Sequence, residues 1–131
     1  MEKEKTMAGL KNAKNLVKQA RLILMMVDSA NGLDSETITD CIHMVGGKLR
    51  RVEESISEHS LALDFDKRDL FLNLNNQAGS MLKLLVESNA LKVLDRSLIS
   101  NCLWSVTEKL EALNDAISQE NYEKPLTCVT E

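Results

Sequence analysis

Two segments of this chain carry the same apolar spacing, and that spacing admits few folds. Ile38, Ile42, Val45, Leu49, Val52 and Ile56 follow one another at intervals of 4, 3, 4, 3 and 4, and Ile99, Leu103, Val106, Leu110, Leu113 and Ile117 repeat those intervals 61 residues later. Alternating intervals of three and four put every one of these side chains on one face of an α-helix. A helix with a single apolar stripe has to bury it against another element. Two further stripes coincide at the same offset of 61: Leu10, Ala13, Val17, Ala20, Leu24 and Val27, and Phe71, Leu74, Ala78, Met81 and Leu85.

The helix starts carry a signal of their own. Asp34 and Asp95 stand where an N-cap carboxylate can accept hydrogen bonds from the free amides of a first turn. Leu33 with Ile38, and Leu94 with Ile99, occupy the two positions of a hydrophobic staple. Phe65, Asp66 and Leu70 offer the same arrangement a third time.

The expected fold is therefore all-α: an antiparallel four-helix bundle built from two duplicated helical hairpins related by a pseudo-twofold axis. One hairpin cannot cover its own apolar stripe, whereas two can cover each other. The helices are expected over about residues 7–29, 35–58, 67–89 and 96–120 of a single domain spanning 1–131, with a flexible tail at 121–131. "SANGLD" and "SNALKVLD" read as short links. "EHSLALDFD" reads as a longer one, whose Leu61, Leu63 and Phe65 alternate like an extended strap over the bundle end.

Composition agrees with long helices and a single core. Proline occurs once and glycine five times in 131 residues, and aromatics make up 3%, which leaves the core to aliphatic residues and methionine. The formal charge of −4 argues weakly against general nucleic-acid binding. Cys41, Cys102 and Cys128 are odd in number and widely spaced, unlike a disulfide framework or a zinc site. No apolar run approaches the length of a membrane span, and "MEKEKTMAGLKNAK" lacks the apolar stretch of a signal peptide. A cytoplasmic location, no membrane and no cofactor are expected.

Gly46 and Gly47 are the oddest pair, because glycine inside a helix costs about 1 kcal/mol relative to alanine. The other repeat has Thr107 and Glu108 there. A kink or a tight helix crossing is the expected reason; close approach by a partner backbone or ligand beside His43 is the functional one. Over His43, Met44, Val45, Gly46, Gly47 and Lys48 the chain resembles the motif of histidine-phosphotransfer domains, themselves four-helix bundles, in which Lys-Gly follows the histidine after two residues. Here the glycines precede Lys48, so the order is reversed and the lysine falls later. Trp104 stands where His43 stands in the other half and is a candidate contact residue.

The first and third helices are apolar over more than one face. Leu22, Ile23, Met25 and Met26 surround one stripe and Leu82, Leu84 and Val86 the other. Extra apolar surface of this kind marks an interface. The expected interface residues are Leu22, Met25, Met26, His43, Gly46, Gly47, Leu82 and Trp104. Lys11, Lys14, Lys18 and Arg21 form one basic cluster, and Lys48, Arg50 and Arg51 another. Cys41 and Cys102 are expected to pack as small hydrophobes, since His43 diverges from Cys41 on the helix. No nucleophile elbow, metal-ligand spacing or paired acid–base motif is present, so no enzyme activity is expected. The expected function is a protein–protein interaction or regulatory role, with an unidentified protein partner and as a homodimer. A small-ligand or phosphotransfer bundle centred on His43, Gly46 and Gly47 comes second, and a weak nucleic-acid-binding regulator third.

Overall fold

The computed structural model describes residues 2–30, 32–58 and 63–120. All regular structure among them is helical: α1 (Glu2–Ser29), α2 (Ser35–Glu58), α3 (Phe65–Glu87), the short α4 (Ala90–Val93) and α5 (Arg96–Gln119). The expected tail at 121–131, with Cys128, lies outside the described residues, as does Leu61 of the expected strap.

α2 and α5 begin and end at positions 61 apart, and both start on the expected cap. The Asp34 carboxylate accepts the Thr37 amide at 2.7 Å, and the Asp95 carboxylate accepts the Leu98 amide at 2.9 Å. Leu33 and Leu94 lie half-buried against the core beside Ile38 and Ile99. The third expected staple does not form. α3 starts two residues early, at Phe65, after an Asp64 N-cap whose side chain accepts no cap hydrogen bond. Phe65 and Leu70 are exposed, and Phe65 belongs to α3 and not to a strap, whereas Leu63 packs on the core. The "SNALKVLD" link also contains more structure than expected. Asn89 turns the chain with φ 64°, a backbone region asparagine tolerates better than most residues, and α4 then presses Leu91 into the core.

Each long helix touches two others: α1 packs on α2 and α5, and α3 packs on the same two. The core runs down the middle. All six stripe residues of α2, all six of α5 and all six of α1 are buried. Fully burying an aliphatic side chain such as Leu110 or Leu113 contributes about 2 kcal/mol each.

α3 is turned relative to its expected stripe. Phe71, Ala78 and Leu85 are buried as expected, but Asn75 and Leu82 replace Leu74 and Met81, which stay half-buried at the edge. The two candidate stripes share three residues and differ by one position, a rotation of about 100° for the remaining two. Contact with α2 decides between them: the Asn75 side-chain amide donates to the Leu49 carbonyl at 2.8 Å.

Polar contacts tie specific helix ends together. The Ser55 hydroxyl donates to the Gly9 carbonyl at 2.9 Å and accepts from the Asn12 amide at 3.2 Å, joining the start of α1 to the end of α2. Lys67, near the start of α3, pairs with Glu120 just beyond α5. That contact raises the Lys67 pKa, first through the hydrogen bond and then through the charge on Glu120.

Candidate functional site

The expected interface residues fall on two opposite seams of the molecule. The first lies between α1 and α5. Leu22, Met25 and Met26 recur at helical spacing on α1, and Trp104 of α5 joins them around one shallow depression with Ser29 and Thr107. Leu22 is 58% exposed, Met26 67% and Trp104 56%. Four large apolar side chains from two helices thus share one patch in water. Three of them are flexible and one is a broad aromatic plate, a combination suited to adapting to an apolar partner.

The α1–α5 register is set just beside that patch. The Nη2 of Arg96 lies within hydrogen-bond reach of three main-chain carbonyls at the end of α1: Val27 at 3.0 Å, Asp28 at 2.6 Å and Ala30 at 2.9 Å. The Ser100 hydroxyl donates to the Asp28 carboxylate. Sequence reasoning did not single out Arg96, although a signal existed. A cation in the first turn of a helix opposes that helix's own dipole. Such a residue is better placed to cap the C-terminal carbonyls of a neighbour, which need donors.

Beyond the patch the same face of α1 turns basic. Lys11, Lys14 and Lys18 line a second shallow depression with Met7 and Asn15. Spacings of three and four residues carry this row directly into Leu22 and Met25. On α5, Glu108, Glu111 and Asp115 continue at the same spacings from Trp104, and all three are exposed. A basic row and an acidic row therefore run side by side from one apolar patch. Arg21, the fourth member of the expected basic cluster, is half-buried, and its Nε has no hydrogen-bond partner.

The second seam is an open groove between α2 and α3 of about 780 Å³, lined by His43, Gly46, Gly47, Arg50, Asn75 and Lys83 among others. His43 is exposed there. The glycines do not serve a tight crossing, contrary to expectation: a Cβ built on Gly46 or Gly47 meets nothing within 4 Å. Their absent side chains widen the groove and lay the α2 backbone open. The Asn75 side chain is buried, and its Oδ1 has no hydrogen-bond partner. Leu82 corrects a further expectation. At 1% exposure it is part of the core, because α3 is rotated relative to its expected stripe, whereas Leu84 two residues on is exposed.

Several kinds of chemistry have no support among the described residues. No group of three or more His, Cys, Asp or Glu side chains could hold a metal ion. Cys41 and Cys102 are free, half-buried thiols packed against the core. No helix is long and apolar enough to cross a membrane. The second basic cluster is partly engaged within the fold, since Lys48 donates to Gln19 at 2.9 Å.

Fold and site together define an all-α protein with an apolar, charge-flanked seam on one side and a glycine-opened groove on the other. No family model, curated protein or solved structure matches the chain.

Proposed function

We propose that this chain is a non-enzymatic interaction or regulatory protein that presents a helical surface to another protein, and that it does so as a homodimer. The architecture that goes with this reading is an antiparallel four-helix bundle of two duplicated hairpins. Matching ends of α2 and α5 at an offset of 61 support it, as do contacts that join helix starts to helix ends. One observation carries the functional reading: Leu22, Met25, Met26 and Trp104 converge from two helices into one exposed apolar patch. Such patches are characteristic of surfaces that dock another chain. Sedimentation of the unaltered chain beside Leu22→Glu and Met26→Glu tests it. The expected result is a dimer that each charged substitution converts to monomer. An unaltered chain that is already monomeric removes the homodimer.

A second reading places a small ligand or a phosphoryl group at His43. The room left by Gly46 and Gly47 around that histidine favours it. Incubation with a small phosphodonor followed by assay for acid-labile phosphate tests it, with His43→Gln as the control. Absence of label on the unaltered chain removes the phosphotransfer version.

A further inference from the structure

We infer that the α1–α5 seam docks a second copy of this chain about a twofold axis that runs parallel to the helices, so that the basic row of each copy lies on the acidic row of the other. This deepens the homodimer reading and rests on it. Seen face on, the seam has Leu22, Met25, Met26 and Trp104 at one end. From there Lys11, Lys14 and Lys18 run along α1, and Glu108, Glu111 and Asp115 run along α5. Contacts of Arg96 and Ser100 with the end of α1 fix the relative heights of the two helices. Each turn back along α1 then matches one turn forward along α5, which brings Lys18 and Lys14 to the level of Glu108, Glu111 and Asp115. Among the described residues, no ion pair joins the two rows within one chain.

A face is self-complementary only if some twofold operation places unlike groups together. An axis parallel to the helices exchanges left for right and keeps height. It therefore sets α1 over α5 of the other copy, lysines over carboxylates, and Leu22 and Met25 over Trp104, twice. An axis across the helices also stacks the apolar ends, but it swings both charged rows away past opposite ends of the dimer. Only the parallel axis uses the whole face.

The area is sufficient. α5 has 24 residues and is about 36 Å long, and two adjacent helices span about 20 Å. The face therefore offers roughly 700 Å² per copy, about 1,400 Å² for the pair, within the range of specific interfaces. Opposed charged rows also orient the encounter and disfavour other partners.

Two charge-reversed chains test the geometry. One carries Lys11→Glu, Lys14→Glu and Lys18→Glu; the other carries Glu108→Lys, Glu111→Lys and Asp115→Lys. Each alone presents like charge across both halves of the interface, and its dimer Kd by sedimentation is expected to rise at least about tenfold. An equimolar mixture restores attraction on both sides and is expected to recover dimer as the mixed species. The unaltered chain supplies an independent readout, because its dimer Kd is expected to rise with added salt. A monomeric unaltered chain overturns the homodimer reading and this geometry with it. A dimer indifferent to charge reversal and to salt overturns the geometry alone, as does failure of the mixture to recover dimer.

Discussion

Arg96 at the start of α5 caps the end of α1 by donating to the Asp28 carbonyl at 2.6 Å, with the Val27 and Ala30 carbonyls close to the same nitrogen. One side chain thus joins the helix that bears Leu22, Met25 and Met26 to the helix that bears Trp104. Arg96→Ala is expected to destabilise the fold by about 1 kcal/mol, the scale for a partly exposed charge-assisted hydrogen bond. Urea unfolding measures this. Arg96→Lys is expected to recover only part of the loss, because a point ammonium lacks the guanidinium's planar fork of donors.

Gly46→Ala and Gly47→Ala are each expected to stabilise the chain by about 1 kcal/mol. Neither glycine has positive φ, and a Cβ at either site meets nothing within 4 Å. The gain should appear as a higher urea midpoint with unchanged slope. A loss of stability would mean that the fold itself requires glycine there.

Asn75 separates packing from polarity in the α2–α3 contact. Its Nδ2 is satisfied by Leu49, while its Oδ1 is buried without a partner. Asn75→Leu removes one hydrogen bond and one unpaired acceptor together, so its stability should stay within about 1 kcal/mol of the unaltered chain. Asn75→Asp is expected to cost roughly 3 kcal/mol near neutral pH, because a buried carboxylate would face a carbonyl oxygen. Burial raises the pKa of such a carboxyl, so this destabilisation should ease as pH falls and the acid becomes neutral. Unfolding measured across a pH series distinguishes the two substitutions.

Asp34 predicts a pH dependence of opposite sign. The Thr37 backbone amide, and then the Thr37 side chain, hold its pKa below the ordinary 3.8. A carboxylate with a lowered pKa in the folded state adds stability above its unfolded value, and that stability is lost as pH falls through the folded value. Asp34→Asn keeps a capping oxygen but cannot titrate. Its unfolding midpoint should therefore vary less than that of the unaltered chain between about pH 5 and about pH 2. Identical pH profiles for the two chains would exclude this role for the Asp34 carboxylate.

Much of the core was legible as spacing. Ile38 through Ile56, Ile99 through Ile117 and Leu10 through Val27 are buried at every stripe position, because alternating spacings of three and four keep each stripe on one helix face. The caps at Asp34 and Asp95 were legible too, since an N-cap needs only residues within one turn of chain. The Phe65–Asp66–Leu70 staple looked equivalent in sequence. It failed because α3 starts at Phe65, which leaves Phe65 and Leu70 in water.

The sequence by itself determined the four long helices, though not the short α4, how three of those four face the core, and that α1 carries more apolar surface than one stripe needs. Only the tertiary structure decided the facing of α3, where Leu82 and Asn75 went inside in place of Met81 and Leu74. It also decided that Trp104 joins the α1 methionines, and that the glycines open a groove instead of admitting a neighbour. The reason is range. Periodicity and capping are settled within one or two turns of a single helix, whereas facing, seams and empty space depend on which atoms of other helices arrive alongside.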